Sequence, residues 1–236
     1  MNDAERLATL TRSAAELVQN DMTIGLGSGS TAEAFIVALG KRVAAGLRVR
    51  GVSTSERTTR KAGGCGIELV TFAEAPVLDL GVDGADEIDP SLNLVKGRGG
   101  ALLYEKIVAD ACSQWVIVAS SEKLVDRLGS RIPLPVEVVR FGWELTARAI
   151  RELGLEPHVR QTPTGDMFVT DGGHLILDCQ LMPIDDPVPL ANCLKALTGV
   201  VEHGIFIGLA DMALTIDPEG VVTTRRRADR PGAQRA

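Results

Sequence analysis

The chain has 236 residues and a formal charge of −6, with 45% hydrophobic and 24% charged residues, a balance that suits a globular protein with one large core or two small ones. No apolar run reaches the roughly 18 residues that cross a bilayer, and the start, "MNDAERLATL", lacks the basic and apolar regions of a signal peptide, so a cytoplasmic protein with no membrane partner is predicted. From Arg225 onward five arginines stand against Asp229, making the tail +4 and the remainder −10; the acidic body excludes a nucleic-acid surface, and the tail is read as disordered.

In chain order, "AERLATLTRSAAELV" has helical spacing and leads to a strand, "MTIGLG", the turn "GSGST" and a second helix, "TAEAFIVALGKRVAAG". The strand "LRVRGVST" ends in another hydroxyl-rich loop, "SERTT", and "IELVTF", "VLDLGVDGAD" and "WVIVASS" follow as strands separated by helical segments. Nearly continuous apolar strands alternating with helices predict a parallel sheet covered on both faces, whose ligands collect at the carboxyl ends of the strands.

From about Ser130 the rhythm changes. A strand, "PVEVVRF", precedes the helix "GWELTARAIRELG"; then come "EPHVRQT", "MFVTDGGHLILDCQ" folding on itself at Gly172-Gly173, the helix "DPVPLANCLKALTG" and a returning strand, "VVEHGIFIGL". The succession is close to β-α-β-β-α-β, the ferredoxin-like unit. The fold predicted is therefore α/β: a Rossmann-like parallel-sheet domain over 1–129 and 204–236, rejoined through the hairpin "ADMALTID-PEG-VVTT", and a smaller ferredoxin-like α+β domain over 130–203.

Cys65, Cys112, Cys179 and Cys193 form no CxxC pair, and His158, His174 and His203 lack metal-ligand spacing. The thiols read as small hydrophobes and the imidazoles as packing or surface groups, with no metal site expected.

Chemistry concentrates in two stretches. In "IGLGSGSTAEAF", glycines at 25, 27 and 29 lie between a strand and a helix start, where backbone N–H groups and the helix dipole favour an anion. Ser28, Ser30 and Thr31 add hydroxyl donors. Ser30 stands where a dinucleotide fingerprint needs glycine, the second strand ends in "GVSTS" without a ribose-binding acid, and no Gly-Lys-Ser/Thr is present, so a small phosphorylated metabolite fits better than a nucleotide. In "VDGADEIDPSLNLVKGRGGALLYEKIVAD", Asp83 and Asp86 follow an apolar strand, and Gly84 between them permits a turn that aims both carboxylates inward. Glu87 and Asp89 read as solvated turn residues before Pro90. At about 100° per residue, Glu105 shares a helix side with Ala101, Ala109 and Cys112, flanked by Leu102 and Val108, while Lys106 and Asp110 point away. A carboxylate among small apolar groups suits a general base near neutrality, and a salt bridge to a nearby lysine is the competing explanation. Lys96, before the "GRGG" turn, is the cation suited to a developing oxyanion.

"GLGSGST", "VDGADEID", "KGRGGALLYEKIVA", "SSEKLV", "LPVEV" and "TDGGHLILD", in this order and at these separations, closely resemble ribose-5-phosphate isomerase of type A, over roughly residues 5–223. The resemblance implies interconversion of ribose 5-phosphate and ribulose 5-phosphate in the non-oxidative pentose phosphate pathway, without metal or organic cofactor, by a homodimer or dimer of dimers. It implies Glu105 as the base that carries the proton between C1 and C2, Asp83 as the group assisting ring opening, Asp86 holding hydroxyls and Lys96 stabilising the oxyanion. Implied substrate contacts are Ser28, Gly29, Ser30, Thr31, Asp83, Gly84, Ala85, Asp86, Lys96, Gly97, Arg98, Gly99 and Lys123. Ser28 replaces the threonine of many relatives and keeps the hydroxyl. Arg98 sits in a turn that is small or apolar in many of them and is given no catalytic role. Arg6 is the possible substitute for an N-terminal lysine found near the phosphate in some members.

The rival readings are a sugar-phosphate sensor, an amino-sugar phosphate deaminase or CoA transferase on a similar scaffold, and an NAD-dependent oxidoreductase. The sensor would need a helix-turn-helix for which the chain has no spare length. The deaminase would need a ring-opening histidine, and none lies near these loops in sequence. The oxidoreductase fails on Ser30 and the missing ribose acid.

Overall fold

The computed structural model describes residues 1–180 and 182–227. In chain order the elements are α1 (Asp3–Glu16), β1 (Thr23–Leu26), α2 (Ser30–Ala44), β2 (Arg50–Ser53), α3 (Glu56–Gly64), β3 (Glu68–Leu69), β4 (Leu80–Asp83), β5 (Glu87–Ile88), β6 (Leu94–Val95), α4 (Leu102–Ala111) and β7 (Trp115–Ser120). There follow a 3-10 turn (Ser121–Lys123), β8 (Leu134–Val138), α5 (Trp143–Glu152), β9 (Glu156–Val159), β10 (Leu175–Gln180), α6 (Pro187–Ala196), β11 (Val200–His203), β12 (Ile205–Phe206), β13 (Met212–Ile216) and β14 (Val222–Arg226). Local chemistry sets several boundaries. The Asn2 side chain accepts from Glu5 N while Glu5 reaches back to Asn2 N, a reciprocal cap on α1. Asp186 accepts from Val188 N and Pro187 opens α6.

The chain divides into two compact units: Met1–Ala85, Tyr104–Leu124 and the described residues from Gly208 onward, and Asp86–Leu103 with Val125–Ile207. Residues 86–103, 125–129 and 204–207 thus cluster with the second unit. β5 and β6 form a hairpin whose other edge pairs with β12, and this small antiparallel sheet keeps 86–95 with 205–206.

The first unit is a seven-stranded sheet in the order β14-β13-β7-β4-β1-β2-β3, parallel except for the final hairpin strand β14. Ile24, Leu26, Leu80 and Val82 face α1 and α2 in its core. The alternate residues, Gly25 and Gly81, face α4: a Cβ on Gly25 would lie 2.5 Å from Val108 Cγ1, and one on Gly81 would lie 2.5 Å from Cys112 Sγ. Missing side chains on two central strands therefore seat α4 close against the sheet. Because strand order reverses between β1 and β4, the loops after those strands diverge and leave a crevice at their carboxyl ends.

In the second unit the four-stranded sheet runs β11-β8-β10-β9, all antiparallel, with α5 and α6 on one face through Ala147, Ile150, Ala191 and Leu194. This is the expected ferredoxin-like succession.

Three details differ from the sequence reading. The stretch read as one strand, "VVEHGIFIGL", breaks at Gly204 into β11 and β12, which pair in different sheets; Gly204 N donates to Pro135 O, Lys96 N donates to Gly204 O, and a Cβ at 204 would sit 2.2 Å from Lys96 O. "IELVTF" forms only the two-residue β3. Arg225 and Arg226 belong to β14, and Arg227 N donates to Asp211 O, so the tail is ordered to that point; its residues from 228 lie outside the described residues. No helix among the described residues is long and apolar enough to cross a membrane.

Candidate active site

In the first unit the β1–α2 loop is built on hydroxyls. Ser28 Oγ lies 2.8 Å from Thr54 Oγ1, 2.8 Å from Ser55 Oγ and 3.1 Å from Thr58 Oγ1. Thr58 Oγ1 also donates to Gly27 O, and Thr54 Oγ1 to Leu26 O. The second hydroxyl-rich loop, 54–58, therefore fixes the first, and Ser28 is turned into that cluster. Gly29 has φ 94°, which a side chain would strain, and opens α2 without a side-chain cap. Glu33 N already bonds Gly29 O, and the N–H groups of the first turn are the ones helix geometry leaves for an outside acceptor. Ser30 is exposed and Thr31 half-buried at this end.

Asp83 ends β4 with 1% exposure, and its Oδ1 accepts from Gly84 N at 2.7 Å. Gly27 lies against it: a Cβ at 27 would be 2.2 Å from Asp83 Oδ1. A cavity of ≈ 220 Å3 is lined by Thr31, Ala85, Ser120 and Lys123 together with Arg6 and Leu7 of α1. The structure thus gathers Thr31, Ala85 and Lys123, three of the substrate contacts that the resemblance implies, with Arg6, at one place. Arg6 also pairs with Asp3 at 2.5 Å and donates to Pro218 O at 3.2 Å.

Glu105 is 4% exposed, on the same buried side of α4 as Leu102, Val108, Ala109 and Cys112, while Tyr104 and Ile107 are exposed. Val108 and Cys112 meet Gly25 and Gly81, and Leu78 N donates to Ala111 O at the start of the β4 region. The helix therefore runs antiparallel to β1 and β4. Three residues back from Val108, a rise of about 4.5 Å at about 1.5 Å per residue, brings Glu105 toward the strands' carboxyl ends, the level of Gly27 and Asp83.

In the second unit Lys96 is buried, with Nζ 5.8 Å from the centre of the Phe206 ring. The turn after it carries positive φ at Gly97 (107°) and Gly100 (82°), with Gly100 N donating to Gly97 O. Asp86 Oδ2 accepts from Arg98 N at 3.1 Å, so Asp86 holds the backbone of this turn. Arg98 and Gly99 are exposed. Arg160, which sequence reasoning missed, donates to Gly97 O and Arg98 O while pairing with Asp178; the partner is found only once the register of β9 on β10 is known.

Glu87 requires a correction. It is fully buried, not solvated: Oε2 accepts from Gly129 N, and Oε1 from Arg131 N and Ile132 N, so it caps the loop before β8. Asp89 does serve a turn, accepting from Asn93 N and Nδ2. Among the described residues no cluster of three or more His, Cys, Asp or Glu side chains is disposed to hold a metal ion.

A family model, "Ribose 5-phosphate isomerase A (phosphoriboisomerase A)", matches residues 50–220. A ribose-5-phosphate isomerase A of Synechococcus sp. (strain JA-3-3Ab) is 50% identical over 91% of this chain and 94% of its own length. One from Bradyrhizobium diazoefficiens is 52% identical over 91% and 92%. Among solved structures, ribose 5-phosphate isomerase A from Methanocaldococcus jannaschii superposes with a TM-score of 0.90 at 36% identity, covering 95% of this chain and all of that one (100%). A D-ribose-5-phosphate isomerase in complex with phospho-erythronic acid gives 0.92 at 34% identity, over 96% and 100%.

Proposed function

We infer the reaction and its division of labour from one premise: the chain belongs to the ribose 5-phosphate isomerase A family. It is an aldose–ketose isomerase that interconverts ribose 5-phosphate and ribulose 5-phosphate.

The reaction moves one hydrogen between adjacent carbons and needs a base that returns the proton it took, a group for ring opening and a partner for the enediolate oxygen. Glu105 is assigned the first role: its carboxylate takes the C2 proton of the open aldose, a proton passes from O2 to O1 in the enediolate, and the carboxyl then delivers its proton to C1, regenerating itself. Asp83, packed against Gly27 and braced by Gly84 N, takes the anomeric hydroxyl proton as the bond from C1 to the ring oxygen breaks, and returns a proton to that released oxygen. Lys96 balances the charge on the carbonyl oxygen as the enediolate forms. Asp86 fixes the turn that carries Lys96 and contacts sugar hydroxyls. Thr31, Ser30 and Lys123, with Arg6 nearby, hold the phosphate, and this anchor converts binding into alignment of the reacting carbons. Ser28, occupied by Thr54, Ser55 and Thr58, shapes the loop as well as offering its oxygen.

The observation that carries the assignment is a carboxylate on the strand-facing side of α4, 4% exposed, three residues before the residue that meets Gly25. The cavity read as a phosphate-binding site, the family likeness and the acidic body support a cytoplasmic role in the non-oxidative pentose phosphate pathway, as a homodimer or dimer of dimers. The deciding experiment is turnover of ribose 5-phosphate by Glu105→Gln in a cofactor-free coupled assay. Loss of at least about 10²-fold in kcat with little change in KM is expected; turnover near that of the unaltered protein removes Glu105 from the mechanism.

A further inference from the structure

We propose that Arg160, locked in place by Asp178, is a positioning residue for the Lys96–Gly100 turn, and through that turn for Lys96 in the isomerisation; the proposal rests on the role given to Lys96 above. A turn with positive φ at Gly97 and Gly100 sits in backbone space that glycine enters without preference, so its shape has to come from outside the turn. The outside contacts are specific. Arg160 Nη1 donates to Gly97 O and to Arg98 O, each at 3.0 Å. On the other side of the same peptide, Arg98 N donates to Asp86 Oδ2 at 3.1 Å. Beneath the turn a Cβ on Gly100 would lie 2.5 Å from Phe168 Cε1 and Cζ, and the Phe168 ring is 5.8 Å from the Arg160 guanidinium carbon. The Gly97–Arg98 peptide, one residue beyond Lys96, is thus tied from two sides, and the turn is floored by an aromatic ring.

The guanidinium is itself preorganised. Nε and Nη2 make a fork with Asp178 at 2.8 and 2.5 Å, and this leaves Nη1 for the two carbonyls. The Arg160 side chain is 13% exposed, so water is a poor substitute acceptor or donor there. Lysine cannot reproduce this arrangement: its ammonium offers a point charge with no planar fork, so it holds Asp178 or the turn but not both with fixed geometry. The consequence is catalytic alignment and not charge supply, since neither Arg160 nor Asp178 is assigned a substrate contact.

The test uses the full chain with Arg160→Lys, Asp178→Asn and Arg160→Ala. A displacement of about 1 Å at a reacting group costs about 10²-fold, so Arg160→Lys and Asp178→Asn are expected to lower kcat by about 10- to 100-fold with KM changed less than about 3-fold. Millimolar guanidinium is expected to restore a substantial part of kcat to Arg160→Ala, and methylammonium is not. A second readout needs no activity: Arg98 is exposed and precedes Gly99, so trypsin cuts the turn itself once it is untethered. Tryptic cleavage at Arg98–Gly99, followed by mass spectrometry, is expected to accelerate at least about 10-fold in all three variants while far-ultraviolet circular dichroism is unchanged. Unchanged kcat and unchanged cleavage in Arg160→Lys and Asp178→Asn overturn the proposal, as does a kcat loss that follows the folded fraction without guanidinium rescue. If the unaltered protein does not isomerise ribose 5-phosphate, the functional reading fails instead, and the cleavage rates still decide whether Arg160 holds the turn.

Discussion

Gly27→Ala probes the first unit through a single methyl group. The added Cβ would stand 2.2 Å from Asp83 Oδ1, 2.3 Å from Cγ and 2.6 Å from Cβ. An ordinary contact is near 3.5 Å, so the shortfall is about 1 Å against each of these three atoms. The strands cannot part to relieve it, because Gly27 N donates to Val82 O at 3.0 Å and β1 pairs with β4 through Leu26 and Val82. The side chain of Asp83 must rotate and abandon Gly84 N. Overpacking of this kind costs about 1–3 kcal/mol, and for a domain of this size each kcal/mol lowers Tm by about 2–4 °C. If Asp83 has the ring-opening role proposed for it, a displacement of about 1 Å also costs about 10²-fold in turnover. Differential scanning fluorimetry and the coupled assay read the two effects separately. Gly46→Ala is the control: φ there is 105° and no atom lies within 4 Å of the new Cβ, so it carries backbone strain alone and is expected to lose stability without losing activity. Since Gly27→Ala and Asp83→Ala act on one group, the double variant should be little slower than Asp83→Ala. A Gly27→Ala protein with full kcat/KM and unshifted Tm would refute the reasoning.

Lys123→Ala should raise KM for ribose 5-phosphate by about 10-fold, the cost of one charge-assisted contact, with kcat held within a few-fold; an unchanged KM removes the phosphate-holding role proposed for Lys123. Glu87→Ala strands three backbone N–H groups at about 1 kcal/mol or more each, so Tm should fall by roughly 6–12 °C, with Glu87→Gln milder; an unaltered Tm contradicts the capping role. Burial pushes the Cys179 thiol up to about 12, so it stays protonated through the neutral range and the thiolate appears only as pH climbs toward that value. At pH 8 a thiol reagent should therefore modify exposed Cys193 and leave Cys179, and equal labelling rates would overturn this.

The parallel sheet, the ferredoxin-like unit and the buried face of α4 were legible because each depends on periodicity within a short segment. Glu105 is the clearest case: its neighbours on the helix are fixed by 3.6 residues per turn, and Val108, Ala109 and Cys112 are buried beside it as the spacing requires. The "GSGST" loop was legible as a glycine turn between a strand and a helix start, but the inward turn of Ser28 toward Thr54, Ser55 and Thr58 was not, because it needs the second loop in place 26 to 30 residues away.

Glu87 and Arg160 share one reason for having been misread or missed. A charged side chain in a polar stretch has the same local signature whether it meets water or a set of backbone groups. Glu87 is followed by Ile88, Asp89 and Pro90, a turn by composition, yet its carboxylate is claimed by amides 42 to 45 residues later. Arg160 belongs to a strand-like segment with no motif, and its partners are 18, 62 and 63 residues away. Periodicity and propensity report what a residue does to its own element. They are silent on backbone acceptors and donors brought to it by the topology, and in this chain those distant backbone partners are what fix the loops on which the proposed chemistry depends.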